Sequence, residues 1–324
     1  MRRREFITLI GGVAAAWPLA ARAQEVGRIY RIGGLSVSPR NAPYLVAMFD
    51  ELRRLGFIEG QNLTVDWQTY GLRPDLLSEF AAELVKAHVD VIYAVGEIGI
   101  RAAQGATATT PILGSTDDMI GSRLVNSMAR PDGNTTGMSL LSSELNGKRQ
   151  EILIEAVPGL RRMAALADSE TTAHARLDAL KEAARARDIE LSIDRIARPE
   201  DIPAVIDAAK TSGAEALNVL SSAILYGNRQ IVMQCVAALR LPAIYPFPEA
   251  AEEGGFLGYG PRLIQIYRDV LARQLVKILQ GAKPADLPVE QPTKFELTIN
   301  LKAANALGLT VPESFLVRTD EVIE

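Results

Sequence analysis

Hydroxyl-bearing residues and glycine follow short apolar runs at several places in this 324-residue chain. The positions that share this feature are Ser36, Gly96, Ser115, Thr116, Ser169 and Ser221. Backbone N–H groups at the start of a helix bind a carboxylate or another acceptor-rich group, because they have no partner within the helix. The same residue types are favoured helix N-caps. Each loop therefore has two interpretations, a cap or a ligand contact, and their recurrence in both halves favours a ligand-binding rim.

Carboxylates and tyrosines extend this set of candidate ligand-binding residues. Asp117 ends the same Ser-Thr-Asp loop and is suited to pair with a ligand amine. Glu97 offers the same chemistry, or else it stabilises the N-terminus of the helix that follows it. Tyr245 and Tyr259 follow predicted strands, where they either stack on a ligand ring or pack between the two halves of the fold. The sequence leaves both pairs of alternatives open.

Residue patterns for catalysis and metal binding are absent from the sequence. The two histidines, His88 and His174, form no H-x-x-H or H-E-x-x-H motif, and the single Cys235 leaves no C-x-x-C pair. The sequence also lacks a G-x-S-x-G nucleophile motif, a Walker A motif and a G-x-G-x-x-G fingerprint. We therefore expect no catalytic residue, no metal and no cofactor. The net charge of −4 gives no electrostatic reason to expect nucleic acid as a partner.

Strand-like runs alternate with segments of helical periodicity in the first half of the chain. Tyr30 to Val37 and Asp90 to Val95 have the composition of strands, and the second is continuously apolar, as in a parallel strand buried on both faces. Between them, Pro43 to Leu55 places apolar residues at helical spacing up to a break at Gly56. This order predicts a parallel sheet with helices on both faces.

A second unit of the same kind follows the turn cluster Arg130 to Asn134. Within it, Arg162 to Ala167 is a predicted strand and Thr172 to Arg187 a predicted helix. Two doubly wound α/β units of similar size form a cleft, and small ligands bind at the strand carboxyl ends that face it. The glycine-dense run Gly254 to Pro261 is either an ordinary turn or a hinge strand near this cleft, and Leu263 to Leu279 is predicted as one helix.

The first 23 residues have the pattern of an export signal. Arginines at positions 2 to 4 precede the mostly apolar run Phe6 to Leu19, and Ala21-Arg22-Ala23 has small residues where a signal peptidase recognises them. We expect cleavage after Ala23. The segment from Arg3 to Ile7 resembles the twin-arginine export motif, and a Sec signal with an arginine-rich start is the alternative. Either signal predicts a periplasmic or cell-surface protein.

Longer ordered segments carry a resemblance to a known family. They are Leu55 to Asn62 (LGFIEGQN), Ala129 to Gly137 (ARPDGNTTG), Gly254 to Gly260 (GGFLGYG), Gly281 to Thr293 (GAKPADLPVEQPT), Asn300 to Lys302 and Ala306 to Pro312 (ALGLTVP). In these segments the chain resembles ABC transporter substrate-binding proteins of the tryptophan-binding type, which have the type I periplasmic-binding fold. The resemblance covers nearly all of residues 28–324.

The resemblance implies two α/β lobes that are joined by a hinge of three crossovers. The N-terminal lobe is expected over residues 27–139 and 259–285, and the C-terminal lobe over residues 140–258 and 290–324. The resemblance also implies a pocket between the lobes. Its first side is expected around Ser36, Gly96, Glu97, Ser115, Thr116 and Asp117, and its second side is expected around Ser169, Ser221, Tyr245 and Tyr259.

One departure from the family's usual pattern bears on the ligand. Family members commonly carry small residues after the third strand, where this chain has Glu97-Ile98-Gly99. A carboxylate there is expected to repel a ligand carboxylate and to favour a cationic or hydroxylated group.

The function that the resemblance implies is binding of a small solute, without catalysis. The expected ligand is an amino acid or an aromatic or carboxylate-type solute, and the expected partners are an ABC permease and its ATPase in the inner membrane. We expect the protein to be a monomer. One alternative is a periplasmic sensor that serves a membrane receptor. A periplasmic enzyme, the other alternative, would need Asp117 or Glu97 as its general base.

Overall fold

The computed structural model describes residues 27–70, 73–169 and 174–324. The predicted signal peptide, residues 1–23, lies outside this part of the chain. No helix in the described residues is long and apolar enough to cross a bilayer. The described residues form two sheets flanked by helices, and each sheet has its own apolar core on both faces.

The first sheet, as far as the chain is described, has five parallel strands in the order β2-β1-β3-β4-β5. The strands are β1 (Tyr30–Ser36), β2 (Leu63–Thr69), β3 (Val91–Val95), β4 (Ile112–Thr116) and β5 (Thr135–Ser139). The connecting helices are α1 (Pro43–Arg54), α2 (Leu77–Lys86) and α3 (Gly96–Ala106). β3 and β4 are buried along their whole length, as expected of central strands covered by helices on both faces.

The second sheet has the strand order β12-β11-β10-β9-β8-β6-β7 within the described residues. Its strands before the return to the first lobe are β6 (Arg162–Asp168), β7 (Glu190–Ile196), β8 (Ala216–Val219), β9 (Ala243–Tyr245) and β10 (Leu257–Gly260). The helices of this part are α4 (Asn146–Ala156), α5 (His174–Arg185), α6 (Ile202–Thr211), α7 (Ala223–Gly227), α8 (Arg229–Ala238) and α9 (Glu249–Glu252).

The chain then returns to the first lobe through one long helical segment. This segment consists of α10 (Leu263–Ile266), a π-helical turn (Tyr267–Leu271) and α11 (Ala272–Leu279). It packs on α1 in a shared apolar cluster. The sequence predicted one regular helix here. The π turn differs from that prediction, and such turns are frequent at functional sites.

The last elements return to the second sheet. They are β11 (Glu296–Asn300), α12 (Leu301–Leu307), α13 (Glu313–Leu316) and β12 (Glu321–Ile323). β11 runs antiparallel to β10, because it enters the sheet from the first lobe and not from a helix of its own lobe. The prediction of an α/β fold with parallel sheets in two lobes is confirmed, and this antiparallel pair is an addition to it.

The proline-rich segment before β11 is fixed to the edge of the first sheet. The Thr136 hydroxyl donates to the Leu287 carbonyl at 2.7 Å, and Glu290 exchanges backbone hydrogen bonds with Gly137 and Ser139 at 2.9 Å each. These bonds continue the hydrogen bonding of β5. This proline-rich segment therefore holds the strand that leads into the first crossover.

Gly137 of β5 generates the first prediction, because no other residue fits its position. Its φ is +144°, and an added Cβ would lie 1.8 Å from the carbonyl oxygen of Gly114 in β4. We expect Gly137→Ala to reduce the free energy of unfolding by about 3 kcal/mol or more, since neighbouring strands must separate. Urea denaturation measures this effect. The control is Gly147→Ala, whose methyl group would meet no atom within 4 Å, and equal stability of the two variants would contradict the prediction.

Candidate functional site

A cavity of about 490 Å³ lies between the two sheets. Val95 and Thr116, the last residues of β3 and β4, line it from the first lobe, and Asp168, the last residue of β6, lines it from the second. Carboxyl ends of parallel strands therefore meet here, which is where ligands bind in sheets of this kind. The volume lies in the range of small-molecule sites, roughly 300–1,000 Å³.

Six of the residues that the sequence predicted as ligand-binding line this cavity. They are Gly96, Glu97, Ser115, Thr116, Asp117 and Ser221. Four others do not line it, namely Ser36, Ser169, Tyr245 and Tyr259. The structure thus brings together the loops after β3, β4 and β8, and it places the four residues expected at the ends of β1, β6, β9 and β10 outside the lining of this cavity.

Two of the four outlying residues are buried inside their own lobes. The Ser36 hydroxyl accepts a hydrogen bond from the Ser38 backbone at 3.2 Å, and the next residue, Val37, lines the cavity instead. This follows from the alternation of side chains along an extended chain. Tyr245 packs in the core of the second lobe beside Ala250, because it ends a central strand that is covered by helices on both faces.

The other two outlying residues contribute to the fold through their backbones. The Ser169 N–H donates to the Ile196 carbonyl at 2.9 Å, which extends the pairing of β6 with β7. The Tyr259 ring packs against the core of the second lobe, and its carbonyl oxygen accepts a hydrogen bond from Arg149 at 3.1 Å. The run from Gly254 to Pro261 contains both features: Gly254 lies in a turn, and β10 follows it.

Glu97 is held within its own lobe by two neighbours. Its Oε1 accepts from Arg101 Nε at 2.9 Å, and its Oε2 accepts from the Ser122 hydroxyl at 2.7 Å. A second nitrogen of Arg101, Nη2, donates to the Ser122 carbonyl. All three residues line the cavity. The carboxylate expected to repel a ligand anion is therefore paired with a cation on the next turn of α3.

Asp117 connects the two lobes across the cavity. It ends the β4 loop of the first lobe, and its Oδ1 accepts from the Ser143 backbone at 2.7 Å and from the Ser221 hydroxyl at 3.4 Å. Ser143 lies on the first crossover and Ser221 in the second lobe. The Asp117 carboxylate is thus held by one donor from the crossover and one from the second lobe.

Asp168 supplies a carboxylate from the second lobe. It is 2% exposed, and its Oδ2 accepts from the Ser222 hydroxyl at 2.7 Å. The same hydroxyl accepts from the Leu225 backbone as the N-cap of α7. Since both residues line the cavity, this network fixes a carboxylate at the cavity wall.

Aromatic rings form a less polar part of the cavity wall. Tyr44 of α1 packs edge-on against Tyr267 of the π turn, with centroids 4.5 Å apart, and contacts Tyr226 of the second lobe at 5.9 Å. Phe247 continues this wall at 5.1 Å from Tyr226. Burial raises the pKa of Tyr44 and also that of Tyr267, the latter to about 12, so both hydroxyls are protonated at neutral pH. Tyr93 donates to the Tyr267 hydroxyl at 2.7 Å and so fixes that ring.

The two lobes approach each other at two contacts where one residue is glycine. Gly96 has a φ of +73°, and an added Cβ would lie 2.8 Å from the Ala223 Cβ of the second lobe. A Cβ on Gly227 would lie 3.0 Å from the Val37 Cβ of the first lobe. The observed arrangement of the lobes therefore depends on glycine at both contacts.

Arg149 links the crossovers behind the cavity. It is fully buried, and its guanidinium donates to the carbonyls of Ser142 and Tyr259 and, at 2.6 Å, to Asn146 Oδ1. Burial lowers the pKa of Arg149 to about 10, against the opposing effect of the Asp117 charge. The side chain is still a cation at neutral pH, so a fixed positive charge lies behind the Asp117 loop.

Several cavity residues were missed by reasoning from the sequence. They are Tyr44, Arg101, Asp168, Ser222, Tyr226 and Tyr267. Asp168 and Ser222 directly adjoin the predicted Ser169 and Ser221. In the first loop the cavity residue is the neighbour of the predicted one, and in the second loop the predicted residue and its neighbour both line the cavity. The three tyrosines lie on helices, where spacing gives no reason to distinguish a core residue from a cavity residue.

The comparisons with known proteins agree with this geometry. The sequence profile of the family described as ABC transporter substrate binding protein matches residues 46–323. The chain belongs to this family. The resemblance stated from the sequence is thereby confirmed, and the family is one of substrate-binding proteins and not of enzymes.

Similar proteins share about a quarter of the residues of this substrate-binding protein. A tyrosine-binding protein from Clostridioides difficile (strain R20291) is 24% identical over 276 residues, which are 82% of this chain and 77% of that protein. A conserved domain protein from Vibrio cholerae superposes with a TM-score of 0.80 at 24% identity, covering 91% of this chain and 100% of that one. The ABC domain in complex with L-Trp from Streptococcus pneumoniae has a TM-score of 0.78 at 23% identity, with the same coverage.

Arg149 generates the second prediction. We expect Arg149→Met to lower the free energy of unfolding by about 3–5 kcal/mol, because three buried acceptors lose their donor. Chemical denaturation measures the change. The control is Lys148→Met, next to it on the exposed side of α4, which is expected to change stability by at most about 0.5 kcal/mol. A stability loss of similar size in both variants would contradict the assignment of Arg149 as the central support of the crossovers.

Proposed function

We propose that this substrate-binding protein captures an amino acid with an apolar or aromatic side chain in the interlobe cavity and delivers it to an ABC importer. One observation carries the proposal: a cavity of small-molecule size is lined by both lobes, with carboxylates on one part of its wall and aromatic rings on another. A zwitterion with an apolar side chain has the complementary chemistry.

The ammonium group of such a ligand is assigned to the carboxylate part of the wall. Asp117 and Asp168 reach this wall from different lobes, and each is oriented by hydroxyl or backbone donors. A carboxylate held at a cavity wall attracts a cationic group, because a hydrogen bond between opposite charges is stronger than one between neutral groups. The apolar side chain is assigned to the wall formed by Tyr44, Tyr226, Tyr267 and Phe247, where ring edges and faces pack well against it.

The mechanism that follows is a shift in the population of open and closed forms. A ligand that contacts both lobes binds the closed form more tightly, and only this difference in affinity moves the equilibrium. Asp117 of the first lobe already accepts a hydrogen bond from Ser221 of the second lobe in this structure. We infer that residues 27–139 with 259–285 and residues 140–258 with 290–324 move as two bodies about the crossovers.

The relatives support the ligand class. One is named a tyrosine-binding protein, and another was solved in complex with L-Trp. We infer that the mature protein, released by cleavage near Ala23, acts as a monomer in the periplasm and docks on a permease and ATPase in the inner membrane. Service to a membrane receptor is the second candidate function, because the same closed form would be recognised there.

Binding and uptake are tested separately. Isothermal titration of the chain from Gln24 onward with L-tyrosine, L-tryptophan and the other common amino acids identifies the ligand. Thermal unfolding should rise with ligand concentration, since binding stabilises the folded state by mass action. Uptake of the labelled ligand by cells that lack the protein, compared with complemented cells, tests delivery. Binding without any change in uptake would favour the receptor alternative.

Ala223 generates a prediction about closure. We expect Ala223→Leu to weaken ligand binding at least about tenfold, because the larger side chain collides with Gly96 and holds the lobes apart. The stability of the ligand-free protein should change little, since the side chain can occupy the opened cleft. Small-angle scattering should show contraction on ligand addition for the unchanged protein only. Ala208→Leu, on the exposed face of α6 in the same lobe, should behave like the unchanged protein.

Asp168 generates a prediction about the ligand amine. We expect Asp168→Asn to weaken binding of L-tyrosine about tenfold or more, because a charge-assisted hydrogen bond is lost. Binding of 3-(4-hydroxyphenyl)propionate, which lacks the amine, should not weaken. Titration of both compounds measures this difference, with Asp118→Asn as the control, since Asp118 also lines the cavity and accepts from the Gly121 backbone. Equal weakening for both compounds would contradict an amine contact at Asp168.

A further inference from the structure

Arg101 is oriented toward the cavity by two fixed partners. Its Nε donates to Glu97 at 2.9 Å and its Nη2 donates to the Ser122 carbonyl. Glu97 is itself held by the Ser122 hydroxyl at 2.7 Å. These three residues close a small ring of hydrogen bonds on the cavity wall, which leaves the guanidinium little freedom to reorient.

Part of this guanidinium has no hydrogen-bond partner. In residues 27–70, 73–169 and 174–324, the Nη1 of Arg101 makes no hydrogen bond, and the side chain is 50% exposed while it lines the cavity. Arginine presents donors in a planar fork, so one edge can bind an internal carboxylate while Nη1 remains for a second acceptor. A donor held in this way loses little conformational entropy when a ligand binds.

The other arginines near the cavity are less suitable for binding an anion. Arg149 is fully buried, and its two terminal nitrogens donate to carbonyl and amide oxygens of the crossovers. Arg123 lines the cavity but is exposed, and no described side-chain contact fixes it. Arg101 is therefore the cation whose position is already set in the described cavity.

We propose that Arg101 is a specificity-determining residue that binds the α-carboxylate of the ligand. This proposal rests on the proposed function, and it deepens that function by selecting amino acids over the corresponding amines. Glu97 has the opposite effect from the one expected of a carboxylate in this loop. It does not repel the ligand anion, because Arg101 balances its charge, and it positions the cation that receives that anion.

The test compares L-tyrosine with tyramine, which differs only in lacking the carboxylate. Titration calorimetry of the unchanged protein and of Arg101→Ala gives four dissociation constants. We expect Arg101→Ala to weaken L-tyrosine binding about tenfold or more and tyramine binding less than about twofold, because a charge-assisted hydrogen bond is lost with the first compound only. The matched control is Arg123→Ala, which should affect both compounds equally.

A further variant separates direct binding from charge repulsion. Arg101→Ala leaves Glu97 unbalanced, and this alone would disfavour a ligand carboxylate. In the double variant Glu97→Gln with Arg101→Ala, that repulsion is removed. We expect the double variant to discriminate against L-tyrosine as strongly as Arg101→Ala does. Recovery of L-tyrosine affinity in the double variant would overturn direct binding by Arg101.

The remaining outcomes also decide the proposal. Equal weakening of both compounds by Arg101→Ala, with a lowered melting temperature, would assign the residue a structural role only. A carboxylate-dependent loss in Arg123→Ala and not in Arg101→Ala would move the anion site to the cavity mouth and overturn the assignment. Failure of the unchanged protein to bind either compound, while it binds a solute of another class, would overturn the proposed ligand class and this assignment with it. If the unchanged protein and Arg101→Ala bind L-tyrosine with equal affinity, the assignment of Arg101 is overturned and the proposed ligand class is not.

Discussion

The buried guanidinium of Arg149 is the interaction on which the two-lobed arrangement depends. The chain passes between the lobes at three places, and such thin connections have little apolar surface with which to fix their geometry. Arg149 ties the first crossover, at the Ser142 carbonyl, to the end of β10, at the Tyr259 carbonyl. Through Asn146 Oδ1, which also accepts from the Ser221 backbone at 3.4 Å, it reaches the loop that lines the cavity. The planar guanidinium of Arg149 thus holds the crossovers and one wall of the cavity in position. This has the desolvation cost that any buried cation carries.

Aromatic packing connects the cores of the lobes to this site. Trp67 stacks on Tyr93 at 5.9 Å, Tyr93 contacts Tyr267 at 6.1 Å, and the series continues through Tyr44 to Tyr226 in the second lobe. The π turn places Tyr267 in this series, because it shifts the residues of one helical turn relative to a regular helix. The wall that is assigned to the ligand side chain is therefore the exposed end of a packed aromatic core. Its ring positions are fixed before a ligand arrives.

The sequence predicted the fold more fully than the site for a physical reason. Apolar runs that alternate with segments of helical periodicity indicate which residues are buried. The pattern of buried residues predicts the strands and helices, and it therefore also predicts the strand ends at which the loops converge. Gly96, Ser115 and Ser221 could therefore be found as members of cavity-lining loops. Which residue of a loop faces the cavity depends on side-chain direction, and a shift of one residue separates Ser36 from Val37 and Ser169 from Asp168. Tyr44 and Tyr267 lie in helices that are apolar on the same face, so periodicity alone cannot separate the part that meets the core from the part that meets the cleft. The Arg101–Glu97 pair has i,i+4 spacing, which is ordinary on any helix surface.

The nature of the interlobe contacts argues that closure is controlled by the ligand. Gly96 meets Ala223 and Val37 meets Gly227 with side chains so small that their contact buries little apolar area. The polar contact joins Asp117 to Ser221 at 3.4 Å. Because this hydrogen bond replaces hydrogen bonds to water, it contributes little net free energy to the approach of the lobes. These contacts therefore add little free energy to the approach of the lobes, and the Tyr44–Tyr226 ring contact is the larger apolar contact between them. Under the proposed mechanism, a solute that engages both walls adds contacts available only in the closed form, and this difference in affinity shifts the population. Small side chains at the contacts between the lobes allow the lobes to approach, and the charges around the cavity select the solute.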